Sequence, residues 1–240
     1  LVAQHNALMR AEEAALLALL PPLAGATVLD LACGSGRYAR IAMGRGARCV
    51  IATDNSPEML SEIERTRHAG LEPQGREGRG EDDINASHTR LHSSLITHHS
   101  LLSPQSSALS PQHSVLGTLE TLPLASGCID VAICGLAIGH LPRIERTFAE
   151  LARVLVQGGA ALVSDVHPFL FLGGAQRTFE SGGKTYAVEH TVHLYSVVHE
   201  AAGAAGLRID AVREPSLLPG DRTPDAPSAP VAIVYRLVKG

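Results

Sequence analysis

A carboxylate and two glycines near the start of the chain have the spacing for nucleoside chemistry. In VLDLACGSGRYAR, residues 28–40, Asp30 stands inside an apolar run that leads straight into Gly34 and Gly36. A strand that passes to a helix through such a turn presents unpaired backbone N–H groups and the positive helix end to an anion. Asp54 closes a second apolar run, CVIATD, 18 residues beyond Gly36, where an acid can hydrogen-bond a ribose diol. The glycine spacing alone, Gly34-x-Gly36-x-x-Ala39, also fits a dinucleotide site, so Asp30 has to separate the two cases.

In a dinucleotide fingerprint the strand before the glycines is apolar to its end, because a carboxylate there would repel the pyrophosphate. Asp30 instead suits a ligand that brings a carboxylate for the helix and a cation for the acid: an amino acid joined to a nucleoside. S-adenosylmethionine is such a molecule. The plainer alternative is that Asp30 caps the turn. A second candidate for chemistry is His167 in SDVHPF, just past an apolar strand, where the carboxyl edge of a sheet faces its ligand crevice. Pro168 stiffens the backbone behind it, and an imidazole there could accept a proton from a hydroxyl. The alternative is a histidine that anchors the following hairpin. His140, before LPR, reads as a structural histidine.

The elements that must position these residues follow from periodicity. Residues 6–20 read as a helix ended by Pro21 and Pro22. A strand over 27–31, a helix over about 37–43, a strand over 49–54 and a helix from Ser56 follow, the last with serine, proline and glutamate in capping order. Strands alternating with helices predict an α/β fold with a parallel sheet and right-handed crossovers. Later come a strand in CIDVAICG, a helix from Pro142 that Gly158 and Gly159 stop, and a strand in ALVSDV. A hairpin around residues 181–183, a helix in VHLYSVVHEAAGAAG, and strands in LRIDAVREP and PVAIVYRLVKG complete the pattern.

Residues 70–114 break it. They are rich in Ser, Gly, Pro, Gln and His and hold no sustained period, so they read as a disordered insertion. His68, His88, His92, His98, His99 and His113 lie in or beside this stretch, yet no helix-face or finger spacing and no cysteine or carboxylate cluster joins them, and no metal is expected. The whole chain, 1–240, reads as one domain that contains this insertion, with 167–193 as a cap on the acceptor side. Net charge of -4 and scattered Lys and Arg give no basic stripe for nucleic acid. Cys33, Cys49, Cys128 and Cys134 form no CxxC pair and lie in apolar runs, which suits thiols in a reducing cytoplasm. The run AALLALLPPLAG is too short and too soon broken by proline to cross a bilayer, and it lacks the basic flank of a secretory signal.

Taken in order, VLDLACGSGRYA, VIATDNSPEML, LGTLETLPLASGCIDVAICGLAIGHL and ELARVLVQGGAALVSDVHP resemble the successive motifs of class I S-adenosylmethionine-dependent methyltransferases, over about residues 25–168 apart from the insertion. The resemblance implies a Rossmann-like, doubly wound, seven-stranded sheet. It would be mostly parallel, with PVAIVYRLVKG as its one antiparallel strand and helices on both faces. By the same resemblance Asp30, Gly34 and Gly36 hold the methionine part of S-adenosylmethionine, with Ala32 beside them in the cofactor site. Asp54 holds the ribose, Asn55 and Met59 flank the adenine edge, and Gly135 and Leu136 line the reactive sulfonium. Similar chains often carry an acid directly after the glycine of LGTLETLPL. Here Thr118 follows Gly117, which leaves adenine recognition to the Thr118 hydroxyl, the Leu119 backbone or Glu120.

The implied activity is methyl transfer to a small-molecule acceptor, without nucleic acid or membrane as partner and with His167 as candidate base. Oligomeric state stays open between monomer and dimer. Phe169, Phe171, Phe179 and Tyr186 offer apolar walls for the acceptor, or else close the core under the hairpin. Two other functions stay in view. A nicotinamide-dependent oxidoreductase is disfavoured by Asp30 and by the lack of a Tyr-x-x-x-Lys pair. A non-catalytic S-adenosylmethionine-binding subunit draws weight from Thr118 and the insertion.

Overall fold

The computed structural model describes residues 6–69, 112–181, 183–221 and 229–240. The chain runs α1 (Ala7–Leu19), β1 (Thr27–Leu31), α2 (Arg37–Gly44), β2 (Cys49–Asp54), α3 (Pro57–Ala69), β3 (Gln112–Leu116) and β4 (Ile129–Cys134). It continues with α4 (Glu145–Val154), β5 (Leu155–Val166), α5 (Pro168–Leu172), β6 (Thr178–Ser181), β7 (Lys184–Ala187), α6 (Tyr195–Ala204), β8 (Leu207–Arg213) and β9 (Ala232–Lys239). Seven strands form one sheet in the order β3-β2-β1-β4-β5-β9-β8, and β6 and β7 form a separate hairpin. Neighbours from β3 through β5 are parallel, while β9 lies antiparallel to both β5 and β8.

The two-residue period of β1 explains the layering. Leu29 and Leu31 enter one core with Ile129, Phe148, Leu151 and Tyr235. Val28 points the other way, into a core with Leu16, Tyr38, Val50 and Ile63. Helices therefore cover both faces, and β1 is buried along its whole length, as a parallel strand between two helical layers must be. The helix starts follow their local chemistry: the Asn6 side chain accepts from the Met9 N–H and the Ser56 hydroxyl accepts from that of Met59.

This strand order makes the site. From β1 the chain winds outward through β2 to β3, then returns to place β4 on the other side of β1. Crossovers leave in opposite directions at β1 and β4, so a crevice opens beyond their carboxyl ends.

Several boundaries differ from the sequence reading. β3 starts at Gln112, which takes three residues from the stretch assigned to the insertion. The rest of that stretch lies outside the described residues. α4 starts at Glu145 after a 3-10 turn at Ile138–His140, and it ends at Val154. Gly158 and Gly159 therefore stop no helix; they lie inside β5, where the register jumps between the pairs Ile129–Leu155 and Val131–Ala160. Gly158 has φ +75°, and a Cβ on Gly159 would meet the Val156 carbonyl at 2.9 Å, so the pair builds a bulge. The short helix α5, directly after β5, had no counterpart in the sequence reading. Among the described residues no helix is long and apolar enough to cross a membrane, and all four cysteines are free thiols.

Candidate active site

The turn after β1 is held by its two acids. The chain leaves β1 through Ala32 (φ 53°), Gly34 (φ 50°) and Gly36 (φ 77°), all in the left-handed region. That conformation is costly for an alanine and persists where surrounding bonds fix it. Here Cys33 donates to the Thr53 carbonyl and Gly36 to the Cys33 carbonyl. Asp54 accepts from the Gly34 N–H with one oxygen (2.8 Å) and from the Ser56 N–H with the other (2.9 Å). One carboxylate thus ties the glycine turn to the start of α3. Gly36 is the N-cap of α2 and has no side chain to cap with, so Asp30 does this from below, accepting from the Ala39 N–H at 2.7 Å. Asp30 is only 1% exposed, and burial pushes its carboxyl up to about 7 against the pull of that N–H and of Arg37 and Arg40. The capping alternative is therefore realised, and Asp30 faces the cavity as well.

At the end of β4, Gly135 and Leu136 form the opposite lip. Leu136 also has a positive φ, 56°, and its N–H is shared between the carbonyl and the hydroxyl of Ser164, 3.0 Å from each. A Cβ on Gly135 would come within 2.5 Å of the Tyr38 ring, so no larger residue fits there.

Above both lips lies α1, fastened by an acid the sequence reading did not single out. Glu12 is wholly buried. It takes Arg37 at 2.8 Å and the Ser164 hydroxyl at 2.6 Å, and the Tyr38 hydroxyl lies 2.7 Å from both of its oxygens. This one carboxylate links α1 to α2 and to β5.

These elements enclose a cavity of about 1060 Å³. Asp30, Ala32, Gly34, Asp54, Asn55, Met59, Thr118, Leu119, Glu120, Gly135 and Leu136 all line it. Gly36 does not: it turns away beneath α3, where an added Cβ would meet Ile63 at 2.9 Å. Thr118 closes a tight turn, its hydroxyl accepting from the Thr121 N–H at 3.1 Å. The cavity exceeds the roughly 300–1000 Å³ common for one small ligand, and it continues past Leu136 to α5 and the residues before the hairpin.

His167 is not brought to this cavity. Its Nδ1 accepts from the Phe169 N–H, capping α5, its Nε2 lies 3.2 Å from Glu214, and the residue is 3% exposed. Both ring nitrogens face protein partners, so the expected proton acceptor is a fastening between β5, α5 and the residue after β8. Of the four aromatic residues expected as walls, Phe171 lines the cavity, Phe169 and Tyr186 are exposed, and the Phe179 side chain lies outside the described residues. His140, read from sequence as structural, is exposed and does line the cavity, as does Arg177, which donates to the Leu136 carbonyl at 3.2 Å. Behind Phe171 lies His190, stacked on it at 4.2 Å with its Nε2 3.8 Å from Asp165. Burial lowers His190 to about 4, helped by the charge of Arg177, and raises Asp165 to about 7. Neither Arg177 nor His190 had a periodic or motif signal, because each is a lone polar residue in an irregular segment.

Comparison with known proteins agrees with this geometry. Two family models, each described as a methyltransferase domain, match residues 28–110 and 96–163. The chain is 28% identical over 152 residues to the malonyl-[acyl-carrier protein] O-methyltransferase of Pectobacterium atrosepticum, a match covering 63% of this chain and 43% of that one. The match thus spans less than half of that relative. Among solved structures, a Mesorhizobium loti S-adenosylmethionine-dependent methyltransferase superposes with a TM-score of 0.67 at 19% identity, covering 95% of this chain and 97% of that one. A Listeria monocytogenes protein described as a methyltransferase of the same kind gives 0.66 at 18% identity, covering 96% and 99%. These two likenesses are of fold. The two domain models, which together reach from residue 28 to residue 163, show that the chain carries a methyltransferase domain, and its sheet order and acid-bearing glycine turn are those that the resemblance to class I S-adenosylmethionine-dependent methyltransferases implies.

Proposed function

We propose that this chain transfers a methyl group from S-adenosylmethionine to a small-molecule acceptor that enters beyond Leu136. The observation that carries the reading is the cavity at the switch point, which has acids in its cofactor half and spare volume past the β4 lip. The cofactor's chemistry fits what is there. A Cβ added to Gly34 would meet nothing within 4 Å, so the missing side chain leaves open space for a ligand against the backbone. Asp30 offers a carboxylate to an ammonium, and Asp54 keeps lone pairs free for a diol after accepting two N–H groups.

When bound, the cofactor supplies an electrophilic methyl on a sulfonium. The protein's own work is alignment and dryness, and positioning of this kind is worth about 7–11 kcal/mol. Gly135 leaves room at the β4 lip for the Tyr38 ring, which Glu12 holds in place. Glu12 and Arg37 hold α1 over the cavity and limit water. No proton acceptor is needed if the acceptor atom arrives with a free lone pair.

Calorimetry with S-adenosylmethionine, S-adenosylhomocysteine and NAD tests the first half of this reading. The first two bind and NAD does not, and Asp54→Ala weakens both by about 10- to 100-fold, the range for a lost charge-assisted hydrogen bond. Binding of NAD alone refutes it. Release of S-adenosylhomocysteine on a panel of small molecules and unmodified RNA tests the second half, and turnover on RNA alone overturns the small-molecule assignment.

A further inference from the structure

We infer that the acceptor is an anion, carrying a carboxylate or phosphate group that pairs with Arg177. The inference rests on the methyl-transfer reading and names the acceptor class for that same cavity. Its basis is the way charge divides along the cavity lining. The acids in the lining are Asp30 within β1, Asp54 at the end of β2 and Glu120 after β3, all on the cofactor half. The other half, built by the residues after β4, by α5 and by the start of β6, contributes His140, Gln176 and Arg177 and no acid.

Of the two arginines in the lining, Arg37 is neutralised by Glu12 at 2.8 Å and has Glu13 at 3.5 Å. Arg177 has no such partner. Its Nη1 donates to the Leu136 carbonyl, and among the described residues it forms no ion pair. A guanidinium has five N–H donors in a planar fork that matches an oxyanion. The acid whose charge bears on Arg177, Asp165, is buried, accepts from the Val166 N–H and has His190 at 3.8 Å. Burial holds its carboxyl up to about 7 and lowers the basicity of Arg177, a desolvation that the charge of Asp165 offsets only in part. A half-buried unpaired cation is costly. A cationic cofactor in the adjoining half would raise that cost, whereas an anion between the two charges lowers it. His140 beside it has its basicity lowered by partial desolvation and by the charge of Arg177, which favours the uncharged imidazole with one N–H to donate.

The test uses isosteric probes, so it does not depend on knowing the acceptor. Calorimetry is run on the full chain saturated with S-adenosylhomocysteine, titrated with benzoate, phenyl phosphate and benzamide, and with octanoate and octanamide. At least one anion should bind about 10- to 100-fold tighter than its amide. A carboxylate preference and a phosphate preference identify which oxyanion the site takes. Arg177→Gln should abolish the preference and Arg177→Lys should keep part of it, with S-adenosylhomocysteine affinity unchanged in both, which also shows that the variants fold. Binding of S-adenosylhomocysteine with no anion favoured over its amide overturns the inference alone, as does a preference that survives Arg177→Gln. Failure of S-adenosylhomocysteine to bind overturns the methyl-transfer reading beneath it.

Discussion

Replacing Glu12 by alanine is the most searching perturbation of the site, because one buried carboxylate serves three donors on two elements. The variant removes the 2.8 Å ion pair to Arg37 and strands the hydroxyls of Tyr38 and Ser164. Breaking a buried pair by removing one partner costs about 3–5 kcal/mol. Arg37 keeps the Met9 carbonyl at 3.3 Å and Glu13 at 3.5 Å, and its side chain is 10% exposed. The low end, about 3 kcal/mol, is therefore expected. For a chain of this size that corresponds to a fall in Tm of about 6–12 °C. Glu12→Gln retains an acceptor oxygen for one hydroxyl and loses the charge, so about 1–2 kcal/mol is expected. Urea unfolding at constant m-value measures both, and the affinity for S-adenosylhomocysteine should fall in the alanine variant, since α1 brings Asn6, Leu8 and Met9 to the cavity. An alanine variant within about 0.5 kcal/mol of wild type, the scatter of ordinary surface changes, would refute the view that Glu12 holds α1 in place.

Two further outcomes follow from the acids and histidines. Burial raises Asp30 to about 7, so without ligand it holds a proton across a window where an exposed aspartate has lost it. A bound ammonium favours the carboxylate form. Affinity for S-adenosylhomocysteine should therefore rise between pH 6 and pH 8, while affinity for adenosine, which lacks the amino acid, stays level, and parallel profiles for the two would refute the pairing. His167→Ala should cost about 1 kcal/mol through the lost cap on α5 and leave turnover per bound cofactor unaltered; a drop of about 100-fold in turnover at unchanged affinity would restore the base role.

The parts of the fold legible in the sequence are those specified locally. β1 and β2 have the bounds that their apolar runs indicate, and α3 starts where serine, proline and glutamate announce it. Gly158 and Gly159 were misleading because a glycine pair after a helical stretch reads as a stop, whereas here α4 has already ended at Val154 and the glycines relieve a crowded strand register. α5 is five residues long, too short to show a period. For the site, motif spacing located the cofactor half, since glycine turns and strand-end acids are contiguous features. The acceptor half was not legible. His140 and Arg177 meet there only through packing of segments far apart in the chain, Glu12 finds Arg37 and Ser164 in the same way, and His167 went elsewhere because Glu214, 47 residues later, fixes its ring.

The antiparallel strand has a consequence for how this molecule is born. β9 is the last of the seven sheet strands in chain order, yet it sits inside the sheet, paired with β5 on one side and β8 on the other. On the ribosome, β5 is finished long before residues 232–239 exist. Until they emerge, its outer edge is a row of unpaired backbone groups, the kind of surface on which nascent chains pair with one another. The sheet is closed only once β9 has been made, and the half that carries the glycine turn must keep its shape unaided until then.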